Sequence, residues 1–179
     1  MLIDLVTNAA LALLEAEVNL MSRLAASRKR CEGWLQVELY KRLLTECEVE
    51  LERPYLDGTG RCDFWCREQD DRQSWVELKV CATNYAQYYT SRSSPRPITQ
   101  QIDEVVTDAK KLQTIPAAES NRHVFLLAYP MPSEHDKHAD WSRHLDKLAL
   151  SFREVARSFV IPLTFAGKSA ALTGYKLAI

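Results

Sequence analysis

Apolar residues recur along this chain at two different periods, and the switches between them set the expected order of elements. From residue 2 to about 26, Leu2, Leu5, Val6, Ala9, Leu13, Leu14, Val18, Met21 and Leu24 follow one another at spacings of three and four. That is the period of one helix face. Ser27-Arg28-Lys29-Arg30 is either a basic break or a continuation of that helix, and a second helix is expected from about 31 to 45. The period then drops to two. Cys47-Glu48-Val49-Glu50-Leu51-Glu52 alternates as a strand with one wet face does. Asp57-Gly58-Thr59-Gly60 supplies a turn. Arg61 to Arg67 returns as a strand, with Cys62, Phe64 and Cys66 expected on one face. Glu68 to Gln73 is a charged turn, and Ser74 to Cys81 is a third strand.

Residues 83 to 97 read as a long loop. A helix is expected from about Thr99 to Leu112, with Ile102, Val105, Val106, Ala109 and Leu112 inward. Val124 to Tyr129 is almost wholly apolar, as a central strand covered on both faces would be. Pro130 to Lys137 is a loop, and a helix is expected over roughly 139 to 158, burying Trp141, Leu145, Leu148, Phe152 and Val155. Short strands near 160–165 and 172–178 close the chain. Alternating elements of this kind predict a single α/β domain over residues 1–179, with a mixed β-sheet flanked by helices and an N-terminal helical segment at 1–30. The strands near 47–53, 61–67 and 74–81 should form an antiparallel meander, with 124–129 beside the third.

Composition narrows the function classes only a little. The formal net charge of −1 argues against avid, non-specific binding to a polyanion. Five cysteines, at 31, 47, 62, 66 and 81, are an odd number without dense spacing, so no disulfide framework is expected. Asp4, Glu15 and Glu17 interrupt the N-terminal apolar stretch. Neither a secretory signal nor a membrane span is therefore expected, and the cytoplasm is the default location. Cys62 and Cys66 read as core cysteines, and His135, His138 and His144 as surface residues. No phosphate-cradling glycine loop and no Ser-His-Asp motif order occurs.

The candidate chemistry lies in the second and third strands. Glu77 and Lys79 are two apart, so both side chains leave the same face of the strand, while Val76, Leu78 and Val80 fill the other. Asp63 sits on the hairpin partner and can come beside Glu77. Two adjacent carboxylates repel, and a divalent cation is the usual remedy. On the wheel of the helix from Cys31 to Leu44, Glu32 lies with Gln36 inside the apolar arc of Leu35, Leu39 and Leu43. A core-facing acid needs a partner, either a metal ion or the Lys79 ammonium.

Glu32 in Glu-Gly-Trp-Leu-Gln, Asp63 in Arg-Cys-Asp-Phe-Trp, and Glu77-Leu78-Lys79 resemble the signature of the PD-(D/E)XK nuclease superfamily, whose fold is called restriction-endonuclease-like. The likeness covers about residues 31 to 130, with Cys62 where the signature has Pro. It implies a metal-dependent nuclease, with DNA the expected substrate. Asp63, Glu77 and the backbone carbonyl of Leu78 would hold Mg²⁺ or Mn²⁺. Lys79 would orient or help deprotonate the attacking water and stabilise charge on the phosphate. Glu32 would complete the shell. Tyr85, Arg92 and Arg96 in the loop after the third strand are expected to contact substrate, and Gln101 to reach the same pocket. The alternative is a catalytically silent member of the fold, acting as a nucleic-acid-binding or protein-interaction module. No membrane partner is expected, and a homodimer is left open.

Overall fold

The computed structural model describes residues 1–27, 31–58, 60–68, 71–83, 85, 97–132, 138–165 and 167–179. Helices α1 (Leu2–Ala16), α2 (Val18–Ser27) and α3 (Glu32–Leu43) come first. Strands β1 (Val49–Pro54), β2 (Arg61–Arg67) and β3 (Gln73–Ala82) follow as an antiparallel meander. Helix α4 (Ile98–Gln113) then leads to β4 (Ser120–Pro132), α5 (His138–Ala149), β5 (Glu154–Phe165) and β6 (Lys168–Ala178). The six strands form one mixed sheet in the order β1-β2-β3-β4-β6-β5. Only β3 and β4 are parallel, from Gln73 opposite Ser120 to Ala82 opposite Tyr129. A parallel pair needs a crossover, and α4 lies within it.

Each face of the sheet carries its own apolar core. On one face α1, α2 and α3 bring Leu2, Val6, Leu14, Met21, Leu35 and Leu39 against Val76, Leu78, Phe125 and Ile161. On the other, α4 and α5 bring Ile102, Val105, Leu112, Trp141 and Leu148 against Trp75, Val124, Leu126 and Leu177. Along β4, Phe125, Leu127 and Tyr129 face one core and Val124, Leu126 and Ala128 the other, so the apolar run is covered on both sides as expected. No helix of the described residues is long and apolar enough to cross a membrane.

Several local expectations are corrected. The N-terminal helix breaks at Glu17, which leaves helical geometry at φ −106° and ψ 24°. The break lets α1 lie over β3, β4, β5 and β6 while α2 turns onto β5. The helix expected to run to 158 ends at Ala149. Phe152 and Val155 keep the spacing of three and four, but Val155 already belongs to β5, which extends back to Glu154. Cys62 also departs from the simple alternation of β2. Phe64 and Cys66 face the core under α1 and α3, whereas Cys62 packs with Tyr55, Trp65 and Trp75 on the opposite side.

Candidate functional site

The regular pairing of β2 with β3 runs from Arg67 opposite Gln73 to Phe64 opposite Val76, and no further. The pairing of β1 with β2 is interrupted nearby, between Leu51 opposite Phe64 and Arg53 opposite Cys62. The residue at that interruption, Glu52, has φ +53°. Side chains other than Asn, Asp and Gly seldom adopt this left-handed conformation, and such strain costs about 1–3 kcal/mol. The sheet therefore opens locally at Asp63.

Beyond Val76, carboxylates replace the ladder. The Leu78 N–H donates to Asp63 Oδ2 at 2.7 Å. The Val80 N–H donates to Glu32 Oε2 at 2.9 Å, although Glu32 comes from the first turn of α3. The Cys62 thiol lies 3.3 Å from the Val76 carbonyl. Gln36, one turn after Glu32, donates to Asp63 Oδ1 at 2.9 Å and to Glu52 Oε1 at 3.2 Å. In an extended strand the N–H and C=O of one residue point to the same side. The Leu78 carbonyl thus lies on the edge that Asp63 occupies.

Glu77 is only 4% exposed and hydrogen-bonds to Asp63. Burial and the charge of Asp63 push its carboxyl up to about 9, so near neutral pH Glu77 holds a proton and shares it with Asp63. Burial raises Asp63 as well, partly offset by the bonds from Glu77 and the Leu78 N–H. The second polar contact of Glu77 comes from the Tyr55 hydroxyl, which donates to its Oε1. Tyr55 follows β1 and stacks on Trp75 with ring centroids 6.0 Å apart. Burial and the neighbouring Glu77 hold its phenol well above the ordinary tyrosine range.

Lys79 leaves the same face as Glu77, toward α4. Its ammonium lies 3.2 Å from Asp108 Oδ2 and 3.8 Å from Glu32 Oε1. Asp108 also pairs with Lys111 at 2.6 Å. Burial alone would favour neutral Lys79, but Asp108 and Glu32 overcome it and hold the ammonium above its ordinary pKa. Lys79 is therefore a fixed positive charge at any physiological pH.

Asp63, Glu77, Lys79 and Glu32 are thus within one connected network, with the Leu78 backbone at its edge. Gln101 is buried on α4 and donates to the Ala82 carbonyl at 3.0 Å, tying α4 to the end of β3. Tyr85 is 3% exposed, and its ring belongs to the core under α4 rather than to a solvent-facing surface. Arg92 and Arg96 lie outside the described residues. Two participants carried no expectation. Asp108 sits among Ile102, Val105, Ala109 and Leu112 on the buried face of α4. The rule that singled out Glu32, an acid inside an apolar arc, applies to it equally. Tyr55 precedes an irregular turn and has no periodic signal.

The donor set suits a hard divalent cation. Mg²⁺ binds through one or two carboxylates, keeps several waters and takes further oxygens from substrate. Here two carboxyl groups are pressed together with a proton between them, the place a cation would neutralise. Among the described residues, no three His, Cys, Asp or Glu side chains are gathered into an all-protein metal cage. No protein family, curated protein or solved structure matches the chain.

Proposed function

We propose that this chain is a metal-dependent nuclease of the PD-(D/E)XK type that hydrolyses phosphodiester bonds, with DNA as substrate. The observation that carries the reading is the proton-sharing pair Asp63 and Glu77 beside a permanently charged lysine, at a break in the β2–β3 ladder. Asp63, Glu77 and the Leu78 carbonyl are the groups that would hold Mg²⁺ or Mn²⁺. The bound ion supplies positive charge against the phosphoryl oxygens and Lewis acidity. Gln36 and the Leu78 N–H fix the orientation of Asp63, and Tyr55 fixes Glu77. Lys79 enters the reaction as a donor. An ammonium held above its ordinary pKa does not take a proton from water, but it can orient that water and stabilise charge building on the phosphate. Glu32 and Asp108 set the position of Lys79.

A second reading is a silent member of the same fold that binds nucleic acid or protein without cutting. It is favoured by the burial of Glu77 and by the engagement of Lys79 with two carboxylates. Cleavage of plasmid and single-stranded DNA in Mn²⁺, with titration of Mn²⁺ by calorimetry, separates the two. Asp63→Ala should lose metal binding and cleavage together. Lys79→Ala should keep the metal and lose cleavage at least 100-fold, about 3 kcal/mol of transition-state stabilisation. A wild type that binds DNA without cutting supports the second reading. One that binds neither metal nor DNA removes both.

A further inference from the structure

A cavity of about 500 Å³ lies between α5 and the paired strands β5 and β6. Trp141 and Leu145, one turn apart on α5, form one wall, and Met131, Val155 and Val160 continue it across the sheet. Arg157 on β5 completes the lining. Arg157 is paired with Tyr175, Tyr175 with Leu126 and Leu126 with Lys79, so three strand spacings separate it from the nuclease-like site. At about 4.8 Å per spacing that is about 14 Å.

Three donors stand together on the sheet side of this apolar space. Arg157 and Tyr175 are direct cross-strand partners, and Thr173, two residues from Tyr175, leaves the same face of β6. Among the described residues, Arg157 is the one charged side chain of the wall, and it forms neither an ion pair nor a hydrogen bond. Tyr175 is 4% exposed and accepts from the Trp141 indole N–H at 2.7 Å, but its own O–H has no acceptor among the described residues. Burial, partly offset by that bond and by Arg157, holds the phenol above its ordinary pKa, so the proton stays available for donation. Thr173 is 5% exposed, and its hydroxyl has no acceptor among the described residues either. Buried donors without acceptors are costly. A guanidinium fork flanked by hydroxyls matches the two oxygens of a carboxylate in geometry as well as charge. Apolar cavities of about 300–1,000 Å³ with a few convergent polar groups are the usual sites of small ligands.

We propose that this cavity binds a small monocarboxylate with an apolar body. The carboxylate is held by Arg157, Tyr175 and Thr173, and the body lies against Trp141, Leu145 and Val155. One negative charge meets the one cation of the wall, and a phosphate dianion would bring a second charge that nothing among the described lining residues matches. The site is separate from the Asp63–Glu77 pair and does not depend on the nuclease reading.

The test is calorimetric titration in metal-free buffer with EDTA, so that no carboxylate acts through an ion at Asp63 and Glu77, and at constant ionic strength set by chloride. The probes are 2-naphthoate and octanoate, with 2-naphthalenemethanol as the body without the charge and acetate as the charge without the body. The variants are Arg157→Met, at an exposed position, and Ala171→Leu, which fills the cavity from its β6 wall and leaves the three donors in place. Circular dichroism verifies the fold of each, and Arg157→Met alone decides should Ala171→Leu fail to fold. Saturable one-to-one binding of 2-naphthoate or octanoate, at least tenfold tighter than the alcohol and acetate and weakened at least tenfold in each folded variant, supports the site. Preference for 2-naphthoate supports a flat aromatic body, and preference for octanoate an extended one. No saturable binding of either acid overturns the proposal. So does equal binding of the alcohol or of acetate, or an Arg157→Met variant that binds as the wild type does.

Discussion

Replacing Glu77 by Gln should stabilise the metal-free protein at alkaline pH, although it removes a proposed metal ligand. The folded carboxyl sits at about 9 against an ordinary 4.5, because of burial and the adjacent Asp63. Between these two pH values the folded chain keeps a proton that the unfolded chain has released. Stability therefore falls as pH rises, by up to about 1.4 kcal/mol per unit for one proton. Histidines below and thiols above bound the useful window. Burial holds His123 down at about 4, so it adds stability as pH climbs from there to about 6.5 and is constant above. Burial raises the thiols of Cys31, Cys47, Cys62 and Cys66, the last to about 12, and these begin to act only near and above their ordinary range of about 9, with the same sign as Glu77. From pH 7.0 to 8.5 the carboxyl pair dominates, and the loss should be about 2 kcal/mol. In a chain of 179 residues that is about 4–8 °C in Tm. Glutamine keeps the shape and can donate its amide to Asp63, but it cannot ionise. Differential scanning calorimetry in EDTA should show a falling Tm for the wild type and a level one for Glu77→Gln, the variant ending about 2 kcal/mol ahead at pH 8.5. Added Mn²⁺ should raise the wild-type Tm more at pH 8.5 than at pH 7.0, since the proton must leave before the ion is held. A wild-type Tm that is level across the window, or one that falls equally in the variant, would refute the shared proton.

Two further outcomes test the surroundings of the pair. Asp108→Asn should cost about 2–4 kcal/mol in urea unfolding, because it strips Lys79 and Lys111 of a partner only 7% exposed. Lys111→Ala, at a position 37% exposed, should cost less than about 1 kcal/mol, and equal losses would mean that Asp108 is not held there for Lys79. Gly174→Ala should cost about 1–3 kcal/mol, since a Cβ there would stand 2.5 Å from the Phe159 ring. Phe159→Leu should reduce that penalty in a double-mutant cycle, and a neutral Gly174→Ala would contradict the close packing of β5 on β6.

What was legible in the sequence follows the range over which each signal acts. Glu77 and Lys79 share a face because neighbours two apart in a strand must, and Asp63 meets Glu77 because a hairpin sets its register. Glu32 was legible because an acid within the arc of Leu35, Leu39 and Leu43 has to find a partner, and it finds the Val80 N–H and the Lys79 ammonium. Asp108 obeys the same rule, lying among Val105, Ala109 and Leu112 on the buried face of α4, and was legible on the same ground. The contact of Tyr55 with Glu77 spans 22 residues across a turn and has no local signature. The overrun of α5 has a different cause. Phe152 and Val155 continue the helical spacing while Val155, Phe159, Ile161 and Leu163 belong to a strand, so two periods overlap and sequence spacing alone cannot choose between them.

The opening of the sheet connects these residues to the proposed chemistry. An intact β2–β3 ladder would satisfy the Leu78 and Val80 N–H groups with main-chain carbonyls and close the edge. A buried N–H left without an acceptor costs about 1–3 kcal/mol, so the strands can separate only if other acceptors arrive. Asp63 and Glu32 are those acceptors. Each gives one oxygen to the backbone, and each keeps lone pairs for another donor. The left-handed Glu52 supplies the bend, and Gln36 clamps Glu52 and Asp63 together. Removing the Asp63 carboxylate would therefore do more than delete a proposed ligand: it would strand the Leu78 N–H and allow β2 to close on β3. Asp63→Asn is the milder lesion, because an amide oxygen can still accept from Leu78 while its charge is gone. The stability of Asp63→Asn should exceed that of Asp63→Ala by about 1–2 kcal/mol, with both lacking Mn²⁺ affinity. Equal stability would mean that the carboxylate does not hold the sheet open.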